Sequence, residues 1–414
     1  MSKTNLSLSP IQGDESMKRI IHFLMFTLGE KGWGLPGLLW GEPGEAKTSM
    51  IEQAFRRYGM PCQVMSPGEL GEGAFGVVPV PEGVGDGMRL RMPPMAFVDQ
   101  FDDVGAGGVF ADELTGAPEQ IKPAMLALLR ERRLGGHYFG SGVRVIAAAN
   151  PASIASNGRD LSIPEANRVI HIPWGIVEPE DSQKYALEGL KRFDPSDPFK
   201  ELVAGKAEMA SGAKLRAEEE KRVLSMWSHT YGQAIALTTS FRRAKQDWNH
   251  KRPNASSSDA TGAWPSSRSW SMAAAAYAGA HIHSLTVEET MVVVAGCIGI
   301  PAASEFFKFA ENSDLPDPKD VLEGKVNISN SVRLDQLFAI LNSCATMTVT
   351  TKDAATKARY VDRMWEMLGD CCDRSQKEVA VPISKIIIDD KQYGGASSKK
   401  ALLALKGVAA AMAG

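Results

Sequence analysis

The sequence has few cysteines, almost no net charge and no long apolar run, and each absence argues against a class of protein. Five cysteines in 414 residues, none in a CxxC pair, disfavour a disulfide scaffold and predict a reduced, cytoplasmic protein. A net charge of −3 disfavours a dedicated nucleic-acid-binding protein. No stretch of about 18 apolar residues occurs, so no membrane span is expected. Residues 1–14 are polar and lack the apolar core of a signal peptide.

The composition that is present is ordinary for a folded protein. Hydrophobic residues make up 44% of the chain and charged residues 23%, as in typical globular domains. A chain of 414 residues is too long for one small core, so two or three domains are expected. We predict their ranges as 1–175, 176–313 and 314–414.

The chain is organised around a turn that follows the apolar run Leu38-Leu39-Trp40. This turn is rich in Gly and Pro, and Lys47-Thr48 then opens a predicted helix. The pattern is that of a P-loop, in which backbone N–H groups and a helix N-terminus hold phosphates. Lys47 is predicted to reach the β- and γ-phosphates and Thr48 to ligate Mg²⁺. A helix start with a chance Lys-Thr pair is the alternative. The residues assigned to phosphate binding are Gly41, Glu42, Pro43, Gly44, Glu45, Ala46, Lys47, Thr48 and Ser49.

Ala46 departs from the P-loop consensus, which has glycine before the lysine. Alanine is tolerated at this position if its φ angle is negative. We therefore expect a minor departure, with Ala46 in an ordinary backbone conformation.

A second apolar segment, residues 107–111, ends in two carboxylates, Asp112 and Glu113. Carboxylates at the end of a buried strand are costly unless they are paired or bound to an ion. Beside a P-loop, Asp112 is predicted to hold the Mg²⁺ shell and Glu113 to polarise the attacking water. The alternative is acidic capping of a helix N-terminus, because a helix is predicted close by at 119–130.

A third apolar segment, residues 143–149, ends in Asn150, whose amide is predicted to hold the attacking water or the γ-phosphate. The alternation of these strands with helices indicates a parallel sheet covered on both faces. Ligands of such sheets bind at the carboxyl ends of the strands. All three motifs fall at those ends, so the predicted fold class is α/β with one ligand site at that edge.

Two arginines are candidates for a role at phosphate. Arg168 directly precedes an apolar strand. It either forms a salt bridge in its own chain or projects into a neighbour's phosphate site as an arginine finger. Arg268 lies in the first turn of a predicted helix, where its charge opposes the helix dipole. A nearby anion would explain that position, and a solvent-directed side chain is the alternative.

The remaining segments carry weaker signals. Residues 59–87 are rich in Gly and Pro and include Phe75, which is either the tip of a mobile loop or part of an ordinary surface. Residues 88–101 are predicted to form a hairpin arm, and the chain beyond Pro173 is mostly helical. The vicinal Cys371 and Cys372 are interpreted as packing residues rather than a redox pair. No His/Cys cluster has the spacing of metal ligands.

Taken together, these motifs resemble the AAA+ ATPases, and among them the MoxR branch. Residues 41–48 are similar to its Walker A, which commonly has Ala before the Lys. Residues 110–118 look like its Walker B, with Thr115-Gly116 where Asn or Arg is frequent. Residues 149–151 are similar to its sensor 1. Residues 165–168 are similar to an Ala-Asn-Arg-Phe element, with Val169 replacing Phe, and residues 264–270 to sensor 2, with Ser267 replacing Pro.

The resemblance implies an AAA+ αβα parallel-sheet P-loop core, an all-α lid and a C-terminal helical region. It implies hydrolysis of ATP with Mg²⁺, with Thr48 and Asp112 at the metal and Glu113 as the catalytic carboxylate. Asn150 would position the water, while Arg268 in cis and Arg168 in trans would neutralise charge in the transition state. The chain would work as a homo-oligomer, expected to be a hexameric ring.

The resemblance also implies a chaperone that remodels a protein partner, often one with a von Willebrand factor A domain. The loop around Phe75 would then be a candidate substrate loop. Two other functions stay open: an assembly scaffold that holds ATP with little turnover, and an AAA+ protein that acts on nucleic acid. Intact Glu113 and Asn150 disfavour the scaffold. The near-neutral charge and the lack of a DNA-binding motif disfavour the nucleic-acid function.

Overall fold

The structure is a computed structural model that describes residues 9–66, 80–82, 89–91, 97–118, 120–151, 161–192, 200–254, 261–311, 316–329, 332–389 and 397–413. The chain forms two compact units. The first comprises residues 1–225 and 250–304, and the second residues 226–249 and 305–414. The three-part division expected from the sequence stays a prediction.

The helices and strands alternate in the first half of the chain, and every described element after the last strand is helical. They are α1 (Asp14–Phe26), β1 (Leu28–Gly29), β2 (Gly32–Trp33), β3 (Gly37–Trp40), α2 (Lys47–Arg57), β4 (Cys62–Met65), β5 (Val80–Glu82), β6 (Arg89–Arg91), α3 (Phe97–Val104), β7 (Gly107–Ala111), α4 (Lys122–Glu131), β8 (Arg133–Leu134), β9 (His137–Tyr138), β10 (Val143–Ala149), α5 (Ile163–Ala166), β11 (Ile170–Pro173), α6 (Pro179–Arg192), α7 (Lys200–Ala244), α8 (Ser267–Ile282), α9 (Val287–Ile298), α10 (Ile300–Glu311), α11 (Pro318–Leu322), α12 (Leu334–Thr350), α13 (Ala354–Asp373), α14 (Lys377–Asp389) and α15 (Lys399–Ala413).

Five strands of the first unit form one parallel sheet in the order β11-β3-β10-β7-β4. The strand that leads into the predicted P-loop, β3, therefore lies beside β10, and β10 lies beside β7. Parallel neighbours need crossover connections, which helices supply here. The carboxyl ends of these three strands meet at one edge of the sheet, as the sequence predicts.

Helices cover both faces of the sheet, as two successive glycines of β7 show. A Cβ atom at Gly107 would lie 2.4 Å from the ring of Phe101 in α3, and one at Gly108 would lie 2.4 Å from the ring of Phe55 in α2. Successive residues of a strand point to opposite faces, so α3 and α2 pack on opposite sides. Both glycines permit that close approach. The predicted α/β fold class, a P-loop core followed by helical regions, is confirmed.

Three sequence expectations are resolved or set aside by the described elements. The hairpin arm expected over residues 88–101 is confirmed for Arg89–Arg91 (β6), which pairs antiparallel with β5, and wrong for the end of the range, where Phe97–Val104 forms a helix. This helix packs Phe97, Val98 and Phe101 into the core, so its apolar spacing is helical rather than alternating.

The loop around Phe75 lies outside the described residues. No helix among the described residues is both long and apolar enough to span a membrane.

The second unit has a helical core of its own. Trp365 and Leu368 of α13 are fully buried beside Leu341 of α12 and Ile383 of α14. A Cβ atom at Gly369 would lie 2.6 Å from the Cβ of Ala404, so glycine lets α13 and α15 approach closely. Burial raises the pKa of the Cys371 thiol to about 11, which agrees with a packing role because thiolates, not thiols, are reactive.

Candidate functional site

The ends of β3, β7 and β10 line a single cleft of about 270 Å³. Strand register sets this arrangement: Ala149 pairs with Trp40, and Ala147 pairs with Ala111. The lining residues are Pro43, Gly44, Glu45, Ala46, Lys47, Thr48, Ser49, Asp112, Glu113 and Asn150. The structure thus brings together all three predicted motifs. Gly41 and Glu42, also assigned to phosphate binding, contribute their carbonyls to Lys47 instead of lining the cleft.

The Lys47 ammonium is buried and held by the turn that precedes it. It donates to the carbonyl oxygens of Gly41 at 3.0 Å and Glu42 at 2.6 Å. Burial lowers the pKa of Lys47, while the negative charge of Asp112 acts in the opposite direction. An ammonium has three N–H groups, and among the described residues two of them are used. The third is available for a phosphate oxygen in the cleft.

Ala46 has a left-handed backbone conformation, with φ 52° and ψ 14°. The expectation of a negative φ is therefore wrong. The residue is the N-cap of α2, and its left-handed geometry turns the chain from the loop into the helix, which explains why the consensus has glycine there. For an L-residue this conformation costs roughly 1–2 kcal/mol. As N-cap, Ala46 supplies no side-chain hydrogen bond to the first-turn N–H groups of α2. Such N–H groups are donors suited to an anion.

Thr48 and Asp112 form the direct link between α2 and the end of β7. The Thr48 hydroxyl donates to Asp112 Oδ2 at 2.7 Å, and the Glu113 amide donates to Asp112 Oδ1 at 3.0 Å. Both residues offer hard oxygen ligands on one side of the cleft. Mg²⁺ commonly takes one or two protein oxygens and completes its octahedron with phosphate and water. The donor set fits a Mg²⁺ ion held by Thr48 and Asp112.

Glu113 is exposed and, like Ala46, has a left-handed backbone, with φ 54°. The acidic-cap alternative is wrong for this residue. Leu114–Gly116 is a single 3₁₀ turn, the Glu113 side chain caps no N–H group, and α4 begins only at Lys122. A non-glycine residue in this conformation stores strain of about 1–3 kcal/mol, which is frequent at active sites. The strained position leaves the carboxylate in the cleft rather than in a cap.

Arg168 lies in a second cleft, of about 290 Å³, between α4 and the segment after α5. Its charged lining comprises Lys122, Arg130, Arg133, Arg168, Glu131 and Glu165. Both carboxylates are engaged, since Glu165 accepts from the Ser162 amide at 2.7 Å and Glu131 lies 3.4 Å from Arg133 Nε. The Nε of Arg168 is buried, and within the described part of the chain it has no hydrogen-bond partner. The cleft is therefore rich in positive charge that its own carboxylates do not balance.

Arg268 is not among the residues that line either cleft, but its charge interacts with those of Arg130 and Arg168. It lies in the first turn of α8, and it does not line the first cleft. Partial burial, followed by the positive charges of Arg130 and Arg168, lowers the pKa of Arg268. The predicted role of Arg268 in cis is not supported by this placement. A sequence motif identifies a residue but not the direction in which its helix points, so only the fold could decide this.

Within the described part of the chain, one cluster of potential metal ligands has no sequence signal, because His22, Glu219 and His283 come from three distant segments. Arg222 donates to both Glu219 oxygens, at 2.6 and 2.8 Å, and His22 Nε2 lies 2.9 Å from one of them. The carboxylate thus already has a cation and needs no metal ion. Burial lowers the pKa of His283 to about 3. The cluster is best described as an Arg222–Glu219 ion pair with His22 and His283 hydrogen-bonded around it.

Comparisons with known proteins add little to this geometry. No family model matches the chain, and no curated protein matches it. Among solved structures it is similar to a "putative ATPase" from Cytophaga hutchinsonii, with 14% identity and a TM-score of 0.40. That match covers 78% of this chain and 92% of the other. At this TM-score and identity it supports neither a family nor a function, and the following proposals rest on the chain's own residues.

Proposed function

We propose that the chain binds ATP with Mg²⁺ in the first cleft and hydrolyses it. The observation that carries this proposal is the convergence of Lys47, the Thr48–Asp112 hydrogen bond, Glu113 and Asn150 on one cleft. Each residue type suits its place: an ammonium for phosphate, two oxygens for the metal, a carboxylate and an amide for water. A chance Lys-Thr pair at a helix start would not bring the other three residues to it.

The proposed chemistry assigns one task to each group. The first-turn N–H groups of α2 and Lys47 bind the phosphates. Thr48 and Asp112 hold the Mg²⁺ ion, which neutralises phosphate charge when bound. Glu113 accepts a proton from the attacking water, and Asn150 orients that water toward the γ-phosphorus. The bond between the γ-phosphorus and the bridging oxygen breaks, and ADP is the leaving group.

The second cleft contains arginine side chains, which the P-loop cleft lacks. Among the residues that line the P-loop cleft, Lys47 is the sole cation, and transferring a phosphoryl group commonly needs arginine as well. Arg168 and Arg268 lie elsewhere in the same chain, so they serve a nucleotide only if a second copy presents one. A head-to-tail interface places one copy's arginines against the next copy's cleft and closes into a ring. We propose such a ring, expected to be a hexamer of the AAA+ type.

From the sequence resemblance, we further propose that this ring is of the MoxR type and remodels a protein partner. A protein with a von Willebrand factor A domain is the first candidate partner to test. Motion of the arginine-bearing segments upon hydrolysis would transmit force to that partner. Addition of the partner should raise the ATPase rate, and Lys47→Ala protein should lose that stimulation.

The central test is the ATPase rate per protomer as a function of protein concentration, with mass photometry on the same dilutions. A shared site predicts a rate that rises as rings form, because arginine fingers contribute about 10³–10⁵ in rate. A rate per protomer that stays constant through assembly would remove Arg168 from the mechanism. No turnover at any concentration, with ATP bound, would favour the scaffold.

A further inference from the structure

The segments that carry Arg168 and Arg268 are joined by one buried amide. Asn167, 3% exposed, donates from Nδ2 to the carbonyl of Trp264 at 2.8 Å. Its Oδ1 accepts from the Ser266 hydroxyl at 2.7 Å. Asn167 immediately precedes Arg168, and Ser266 is the N-cap of the helix whose first turn holds Arg268. A single side chain thus bonds the segment that carries Arg168 to the segment that carries Arg268.

Neighbouring hydrogen bonds reinforce this connection. The Trp264 indole donates to the Ile163 carbonyl at 3.1 Å, and the Ser269 hydroxyl donates to the Trp264 carbonyl at 2.8 Å. The Ser266 hydroxyl also accepts from the Ser269 amide, completing the N-cap of α8. Every group in the set is neutral. The set therefore holds two segments together without adding a charge to the cleft.

A neutral connection matters here because the groups that it brings together repel one another. The charges of Arg130 and Arg168 act against the charge of Arg268, and the Arg168 Nε has no partner among the described residues. Bringing like charges together and partly desolvating them is unfavourable. The charge of Glu30 offsets part of this repulsion, and an anion between the two guanidinium groups would attract both of them.

We infer that Asn167 is a positioning residue that holds Arg168 and Arg268 as one site for a single phosphate group. This inference rests on the proposed function for the identity of that phosphate, the γ-phosphate of ATP bound by a neighbouring copy. The Asn167 amide sets the separation of the two guanidinium groups so that both donate to the same anion.

The first experiment compares two N-cap deletions of equal kind. Ser266→Ala removes the N-cap of α8 and the hydrogen bond to Asn167, whereas Thr286→Ala removes the N-cap of α9, which bonds its own helix and not Asn167. Each removes one side-chain hydrogen bond from a helix N-cap, so the two losses of stability should be similar. We expect Ser266→Ala and Asn167→Ala to lower kcat about tenfold with KM for ATP within twofold, and Thr286→Ala to leave both constants within twofold. Equal effects of the two cap deletions would overturn the inference.

A second experiment tests whether Asn167 acts through the arginines. In protein carrying Arg168→Ala and Arg268→Ala, adding Asn167→Ala should lower kcat by less than a further twofold, because nothing is left to position. A further tenfold fall in that background would show a general structural role and overturn the inference. If Asn167→Ala does not fold, Ser266→Ala replaces it in the same comparison.

A third experiment keeps the inference separate from the proposed function, since it needs no turnover. Lys47→Ala disables the P-loop, and pyrophosphate binding to that protein is measured by calorimetry. We expect binding that Asn167→Ala weakens about tenfold and that Arg168→Ala with Arg268→Ala abolishes. This result would support the anion site even if ATP is never hydrolysed. Absent binding, or binding that ignores Asn167, would overturn the inference even if ATPase activity is found.

Discussion

The indole Nε1 of Trp40 donates a hydrogen bond of 2.9 Å to Nδ1 of His171. Because an indole N–H is only a donor, Nδ1 is an acceptor and the imidazole is neutral. Its other nitrogen, Nε2, then carries the proton and bonds the Ala166 carbonyl at 2.8 Å. Trp40 ends the strand before the P-loop, and Ala166 lies two residues before Arg168. His171 thus connects the backbone beneath one cleft with the segment that shapes the other.

Protonation of His171 should destabilise the fold, because burial lowers its pKa from 6.5 to about 4. Between these values the unfolded chain binds a proton that the folded chain does not, so stability falls as pH falls from 6.5 toward 4. The shift corresponds to at most about 3 kcal/mol at the acid end. Urea unfolding across this range should show a shallower pH slope in His171→Phe than in the parent. The slope should not vanish, because His283 contributes in the same direction. Parallel slopes would contradict the neutral, buried imidazole.

Ala46→Gly should stabilise the protein, because glycine adopts φ 52° without the cost that alanine incurs there. We expect a gain of about 1 kcal/mol in the free energy of unfolding. The matched control is Ala54→Gly within α2, which should destabilise by about 0.5–1 kcal/mol. Chemical denaturation with and without ATP measures both. A loss of stability in Ala46→Gly would mean that the left-handed geometry is wrong.

Glu113→Gln should bind ATP about as well as the parent and hydrolyse it at least 100-fold more slowly, because an amide cannot accept the proton from water. Single-turnover hydrolysis and fluorescent-nucleotide binding separate the two effects. Asp102→Asn, an exposed carboxylate at the end of α3, is the matched control and should hydrolyse at the parent rate. Parent-rate hydrolysis by Glu113→Gln would exclude it as the catalytic carboxylate.

Mixing Arg168→Ala protein with Lys47→Ala protein should restore part of the activity that each has lost. Some interfaces in mixed rings combine an intact P-loop with an intact arginine from the neighbour. The ATPase rate should therefore pass through a maximum as the mixing ratio is varied. A flat, inactive line across all ratios, with mixed rings verified by mass photometry, would place both residues in one protomer's own site.

Asp112→Asn should raise the Mg²⁺ concentration needed for half-maximal hydrolysis by about tenfold or more. The substitution removes the charge that attracts the ion and weakens the bond to the Thr48 hydroxyl. A titration of free Mg²⁺ at saturating ATP measures the shift, and chelation should abolish turnover in both proteins. An unchanged Mg²⁺ requirement would place the metal on other ligands.

Much of the fold was accessible from local patterns. One apolar run followed by a Gly/Pro-rich turn with Lys-Thr, and two that end in Asp-Glu and Asn, predicted three parallel strands with one ligand edge, and the neighbouring positions of β3, β10 and β7 confirm that edge. Residues 97–101 were misassigned to a hairpin because a short apolar run does not distinguish strand from helix. In the folded chain this segment is helical, and it buries Phe97 and Phe101 in the core against the sheet.

The sequence by itself predicted which residues would carry the proposed chemistry, because phosphate, magnesium and water each demand particular side chains at particular spacings. Only the tertiary structure decided where Arg268 lies, why alanine at position 46 is strained, and that Asn167 joins two arginine segments nearly a hundred residues apart. Those outcomes depend on how helices pack against a sheet and on backbone angles imposed by that packing. A linear pattern of residue types contains no information about either until the chain is folded.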